Sequence, residues 1–275
     1  MKPALLMLCL LSPAAWGCQT TQLPLAGAVS VPHCPPRQGV DNCVSSGQLL
    51  HTYMEAIPDS DEVLIIALHS SPWRLYDADM RILPVNEFAA SIKPALDGKV
   101  TRVELIGSWT GASPTSGVPS LADRLSSALG GFPVSGEDGF LWLRKDGSRR
   151  TTQQAFTIRD GGGSYFVPEG EELLAPLVVG WYSEAQDVLP AQDAVLQLRA
   201  AAGWDIFMLC PDNALGGFEH AAKLGSAVAA YNAAIMRLER GGAGDRSAAL
   251  AMLERGAALG DGKSQALLAL EREKK

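Results

Sequence analysis

The first clear pattern along the chain is a pair of short apolar runs separated by a stretch with helical periodicity. Residues 63–68 read Val-Leu-Ile-Ile-Ala-Leu, and residues 103–107 read Val-Glu-Leu-Ile-Gly. Short β-rich runs bounded by polar residues, Pro or Gly are typical of buried strands, and a helical crossover joins parallel strands. Apolar residues between 85 and 96 recur at helical spacing, and Pro94 should kink or end that helix. The pattern therefore predicts a strand–helix–strand unit with parallel strands.

Further elements follow this unit. Ser120 and Asp123 have the spacing of a helix cap at the start of an apolar helical pattern. Residues 133–135 suggest a third short strand, and residues 140–143 suggest a strand that an Asp-Gly turn at 146–147 joins to the next one. We expect an α/β domain over residues 59–215, with a partly parallel sheet and an added β-hairpin region.

The last part of the chain, residues 216–275, is alanine-rich and internally similar. Glu-His-Ala-Ala-Lys-Leu-Gly at 219–225 recurs as Glu-Arg-Gly-Ala-Ala-Leu-Gly at 254–260, an offset of 35 residues. Such a period is typical of helical-hairpin repeats. These residues resemble the Sel-one-like repeats, relatives of the tetratricopeptide family, and that resemblance implies an adaptor that binds other proteins. Since arrays usually need at least three units for stability, we expect this segment to pack against the α/β domain. The alternative is a helical cap on that domain without a binding role.

The beginning of the chain has the features of an export signal. Lys2 precedes a short apolar stretch, residues 4–11, which is too short to span a bilayer as a helix. Ala15-Trp16-Gly17-Cys18 resembles a bacterial lipoprotein signal, although Ala15 and Trp16 depart from its usual residues. The resemblance implies a signal peptide over residues 1–17 and lipidation of Cys18. The alternative is ordinary secretory cleavage after Gly17.

Export to an oxidising compartment also bears on the cysteines. Residues 18–58 are predicted to form a tether with a cysteine loop and a short helix, and Cys34 and Cys43 are the expected disulfide pair. Cys210 lies in an apolar stretch, where we expect a buried cysteine with a packing role. No cluster has the spacing of a metal site, and we predict neither a metal nor a cofactor.

Net charge limits the class of partner. The formal charge is −7 and the pI is near 5.2, whereas nucleic-acid binders need a basic face. We therefore expect no nucleic-acid partner. The resemblance to Sel-one-like repeats implies another protein as the partner, and the resemblance to a lipoprotein signal implies contact with the membrane only through the lipid anchor. The predicted location is the periplasmic side of a bacterial envelope.

His69 and Ser108 are the candidate catalytic residues, because each follows a predicted parallel strand at the edge where α/β sheets place their sites. This arrangement resembles the caspase-like cysteine peptidases over residues 60–145, but the cysteine of that family is absent. A serine nucleophile would need His69 within hydrogen-bond reach and an acid such as Asp77, Asp79 or Glu104 to orient it.

These observations favour binding over catalysis. The predicted function is that of an exported, lipid-anchored envelope protein that acts by protein–protein interaction, as an adaptor or an immunity-type binding protein. The alternative is a periplasmic serine hydrolase or peptidase-like enzyme that uses Ser108 and His69.

Overall fold

A computed structural model describes residues 56–96, 98–143, 146–152, 157–158, 165–166, 192–206 and 209–274. The strands are β1 (Val63–Ala67), β2 (His69–Ser70), β3 (Leu75–Tyr76), β4 (Ile82–Leu83), β5 (Arg102–Ile106), β6 (Val134–Gly136), β7 (Phe140–Leu143), β8 (Arg149–Thr152), β9 (Thr157–Ile158) and β10 (Tyr165–Phe166). The helices are α1 (Val85–Ile92), α2 (Leu121–Ala128), α3 (Ala194–Ile206), α4 (Pro211–Lys223), α5 (Ala227–Arg240), α6 (Asp245–Ala258) and α7 (Gly262–Glu273).

Strands β1 to β8 and helices α1 and α2 form what we call the sheet region. A parallel three-stranded sheet in the order β1-β5-β6 is its centre. The register pairs Val63 with Arg102 and Ala67 with Ile106. The apolar side chains of β1 and β5 pack with those of α1 and α2 in a single cluster. The predicted strand–helix–strand unit with parallel strands is confirmed, because residues buried from both sides give a continuous apolar run that is visible in the sequence.

A small antiparallel sheet, β2-β3-β4, lies between β1 and α1 and was not predicted. Each of its strands is two residues long. A two-residue strand is too short to show the alternation by which strands are recognised in a sequence. The sheet places His69 opposite Tyr76.

Local signals in this region agree with the structure. The Ser120 hydroxyl accepts a hydrogen bond from the Asp123 N–H at 3.1 Å, and the Asp123 carboxylate accepts one from the Ser120 N–H, which completes a capping box. Helix α1 ends at Ile92, and a 3-10 turn that contains Pro94 follows. Strands β7 and β8 pair antiparallel across the Asp-Gly turn, in which Gly147 has φ +80°.

The C-terminal region is a run of packed helices, and the 35-residue sequence offset corresponds to a structural one. Helices α4 and α6 are each followed by a glycine in the left-handed region, Gly225 with φ +105° and Gly260 with φ +86°. The next residues, Ser226 and Asp261, accept a backbone hydrogen bond and cap α5 and α7. Two helical hairpins with equivalent ends therefore follow one another.

The helices dock on the sheet region through buried polar contacts. The Asn232 side chain of α5 accepts from the Ile82 N–H at 2.8 Å and donates to the Met80 carbonyl at 2.7 Å. Arg81 makes two hydrogen bonds to Asp261, at 3.1 and 2.8 Å. The expectation that the helical segment packs against the α/β region is confirmed by these contacts. The helical run begins at Ala194, and the predicted boundary at residue 216 falls inside α4.

Cys210 differs from its prediction. It is fully buried, as expected, but it is disulfide-bonded. Its partner lies outside the described residues, as do Cys18, Cys34, Cys43 and the predicted signal peptide. Among the described residues, no helix has the length and the apolar composition needed to cross a membrane.

Candidate binding cleft

The two predicted catalytic residues lie where the sequence placed them, just beyond the carboxyl ends of β1 and β5. His69 begins β2, and Ser108 lies in the turn after β5. Both side chains are buried: His69 is 5% exposed and Ser108 is 0% exposed. Within the described part of the chain, no hydrogen bond joins the two residues.

Ser108 has structural partners. Its hydroxyl oxygen accepts a hydrogen bond from the Leu141 N–H at 3.0 Å, which ties the turn after β5 to strand β7. Its carbonyl oxygen accepts a bond from the Ser70 hydroxyl at 2.9 Å. The next residue, Trp109, has φ +64° and packs edge-to-face on Phe140, with 5.0 Å between ring centroids. These contacts make Ser108 part of the protein core at the carboxyl-terminal edge of the parallel sheet.

His69 lies in an apolar environment. Burial lowers the pKa of its imidazole to about 4, so the ring is neutral near pH 7. Its Nδ1 atom is buried and has no hydrogen-bond partner within the described part of the chain. Two of the three acids near it in sequence serve other groups: Asp77 accepts the Arg81 N–H at 2.8 Å, and Glu104 pairs with Arg149. The third, Asp79, makes no hydrogen bond to His69 in the residues that the structure describes. No orienting acid for His69 is therefore found among the described residues.

A cleft of about 360 Å³ opens elsewhere, at the junction between the sheet region and the helices. We call it the junction cleft. The sheet region contributes Trp73, Arg74, Val118 and Arg124 to its lining. Helices α4 and α5 contribute Pro211, Asp212, Leu215, Met236, Glu239 and Arg240.

A charge cluster lies at the junction cleft, with Arg74 and Glu239 in its lining and Asp205 buried behind them. Arg74, which is 9% exposed, donates to Asp205 at 3.0 Å and to Glu239 at 2.8 Å. Asp205 is fully buried and also accepts the hydroxyl groups of Ser71, at 2.8 Å, and Tyr76, at 2.6 Å. Burial by itself would lower the pKa of the Arg74 guanidinium, but the charges of Asp205 and Glu239 raise it above its ordinary value. Arg74 therefore stays charged and joins the β2–β3 turn to α3 and α5.

Arg124 lines the cleft next to Trp73, on the wall that the sheet region forms. Its Nη1 atom donates to the Trp73 carbonyl at 2.9 Å. Ser71 accepts the N–H groups of Trp73, at 3.3 Å, and Arg74, at 3.2 Å, and holds this turn in place. Among the described residues, no carboxylate pairs with Arg124.

Arg240, the arginine that α5 contributes to the cleft, already has a carboxylate partner. Arg240 donates to Asp245 at 2.7 Å, and this hydrogen bond raises the pKa of its guanidinium. Asp212, at the start of α4, acts in the same direction on Arg240 through its charge. Arg240 therefore has a carboxylate partner, whereas no carboxylate of the described residues pairs with Arg124.

The sequence analysis did not find the junction cleft. Its residues come from four separated segments, none of which forms a motif. The one usable signal is Asp205, an acid between Trp204 and Ile206 in an apolar helix, because a buried carboxylate requires a partner. The described residues contain no group of His, Cys, Asp or Glu side chains that could hold a metal ion.

Comparison with known proteins finds a similarity for one part of the chain. A family described as Domain of unknown function (DUF8616) matches residues 40–151. No match to the chain was found among curated proteins or among solved structures. The matched segment contains the parallel sheet, His69, Ser108 and the Trp73 and Arg124 wall of the cleft, and it ends before α3.

Proposed function

We propose that this chain is an exported, lipid-anchored envelope protein that acts by protein–protein interaction, and that the junction cleft is its contact surface. Its role is that of an adaptor or of an immunity-type binding protein. The observation that carries the proposal is the cleft itself, where Val118 is 41% exposed and Arg124 lacks an acidic partner among the described residues.

The chemistry of the lining supports a binding role. Tryptophan and arginine dominate the binding energy of many protein interfaces, and here Trp73 and Arg124 occupy the same wall. The exposed Val118 and the half-buried Trp73 offer apolar area that a partner can cover. The paired helical hairpins support the resemblance to Sel-one-like repeats, whose members bind other proteins.

The location follows from the leader and the cysteines. The lipoprotein-like residues at Ala15–Cys18 would place the chain on the periplasmic side of a bacterial envelope. The disulfide at Cys210 supports export, because such bonds persist in oxidising compartments.

The hydrolase alternative receives less support. A serine nucleophile must reach its substrate and must be activated by a base. Ser108 is 0% exposed, and its hydroxyl oxygen accepts the Leu141 N–H. This environment suits a structural serine.

Site-specific photo-crosslinking in cells tests the proposal. A photoreactive amino acid replaces Val118 in the cleft, and the matched controls carry it at Val195 or Leu270, which are both 57% exposed. We expect a discrete crosslinked partner from position 118 only. Crosslinks of equal yield and identity from all three positions, or none from position 118, would contradict the proposed contact surface.

Lipidation is tested by metabolic labelling with a fatty acid. We expect label on the wild-type chain and on Cys34→Ser, and loss of label from Cys18→Ser. Label that persists in Cys18→Ser would exclude an anchor at Cys18.

A further inference from the structure

The distribution of charge in the junction cleft identifies the chemistry of its ligand. We propose that the cleft takes an acidic side chain, Asp or Glu, flanked by an aliphatic residue in a segment of a partner protein, and that Arg124 is its anchor. This inference rests on the proposed function, because it names what that binding surface recognises.

The first argument is the pairing of the arginines. Arg74 is paired with Asp205 and Glu239, and Arg240 is paired with Asp245. Among the described residues, the Arg124 side chain makes one hydrogen bond, to the Trp73 carbonyl, so most of its guanidinium donors are left for a ligand. A carboxylate is the group that a guanidinium binds most strongly in two parallel hydrogen bonds.

The second argument is the apolar lining next to this charge. Val118 and Trp73 lie on the wall of Arg124, and Leu215 and Met236 face the cleft from the helices. An aliphatic side chain beside the carboxylate would cover this surface.

The third argument selects a side-chain carboxylate over a chain end. Terminal carboxylates are typically captured by consecutive backbone amides. The cation of this cleft is a side-chain guanidinium, and the nearby helix begins with Pro211, which has no N–H group. The net charge of −7 gives no general attraction for acids, so recognition must come from short-range contact with Arg124.

Three blocked peptides serve as probes in a titration of the full mature chain followed by NMR. They are acetyl-Leu-Glu-Leu-amide, its isostere acetyl-Leu-Gln-Leu-amide, and acetyl-Leu-Leu with a free carboxyl end. We expect millimolar binding of the Glu peptide, with binding of the other two weaker by about tenfold or more. Equal binding of the Glu and Gln peptides would overturn the proposal, and so would preference for the free carboxyl end or failure of all three peptides to bind.

Variants locate the binding. Val118→Glu puts a competing carboxylate into the cleft at an exposed position and should abolish the preference for Glu, whereas Val118→Gln should retain it. Arg124→Gln should lose the preference, and Arg199→Gln, an exposed arginine of α3, should not. Unchanged binding by both Val118→Glu and Arg124→Gln would place the site elsewhere and refute the assignment. Peptide binding without a crosslinked partner would refute the proposed function alone, and a crosslinked partner without peptide binding would refute this inference alone.

Discussion

Arg74 and Asp205 form a buried ion pair, with 3.0 Å between Nη1 and Oδ1, that joins the β2–β3 turn to helix α3. Asp205 is 0% exposed and accepts from the hydroxyl groups of Ser71 and Tyr76 as well. The three donors compensate the buried charge of the Asp205 carboxylate. The same contacts hold the β2–β3 turn in place, with Trp73 and Arg74 in the lining of the cleft. The region matched by the DUF8616 family and the helical region thus contact each other through this buried ion pair and its hydrogen bonds, and the junction cleft opens beside them.

Loss of this carboxylate should destabilise the protein. Asp205→Asn removes the buried charge partner of Arg74 and leaves only the partly exposed Glu239 to compensate the guanidinium, so the free energy of unfolding should fall by about 3–5 kcal/mol. Urea unfolding of the purified chain measures the change. Glu239→Gln is the matched control: Glu239 is 39% exposed, and its loss should cost about 1 kcal/mol or less. Equal losses of unfolding free energy for the two variants would show that the contact between the sheet region and the helices does not depend specifically on Asp205.

The buried His69 predicts a loss of stability in mild acid. Burial lowers the pKa of its imidazole from 6.5 to about 4, so the unfolded chain binds a proton more readily than the folded one between these values. The contribution of neutral His69 is complete above pH 6.5 and is lost as the pH falls toward 4. The resulting loss in the free energy of unfolding should amount to about 3 kcal/mol.

Unfolding curves of His69→Leu between pH 4 and 6.5 check this prediction. The variant should show a weaker dependence of stability on pH than the wild type does. His220→Gln, a change at an exposed histidine of α4, should leave that dependence unchanged. A wild-type slope in His69→Leu would contradict the assignment.

Ser108 should behave as a structural residue. Ser108→Ala removes the acceptor of the buried Leu141 N–H, which should cost about 1–3 kcal/mol in urea unfolding. Ser247→Ala, at an exposed position of α6, should change stability by about 0.5 kcal/mol or less. A fluorophosphonate probe should not label the wild-type protein, because the hydroxyl group is inaccessible. Labelling at Ser108 would restore the hydrolase hypothesis.

The disulfide of Cys210 can be mapped chemically. Cys210 should resist alkylation in denaturant until a reductant is added, and Cys210→Ser should lower the free energy of unfolding by about 2–4 kcal/mol. Mass spectrometry of non-reduced peptides identifies its partner. A bridge from Cys210 to Cys34 or Cys43 would replace the predicted Cys34–Cys43 pair, and alkylation of Cys210 without reduction would exclude the bond.

The sequence by itself determined the elements whose signals are local. The β1 and β5 runs, the Ser120 cap, the Asp-Gly turn before β8 and the 35-residue offset between helix ends all depend on neighbouring residues, and each is present in the structure. The same local pattern correctly placed His69 and Ser108 beyond their strands. Nothing local indicated that both side chains would be buried.

Tertiary structure decided what each position is used for. Trp73, Arg124, Asp205 and Glu239 belong to segments that are far apart in the chain and meet only when the helices pack on the sheet region. Periodicity records which face of an element is buried, but it carries no information about which distant residue covers that face. For this reason the predicted site became part of the core, and the junction cleft became visible only in the folded chain.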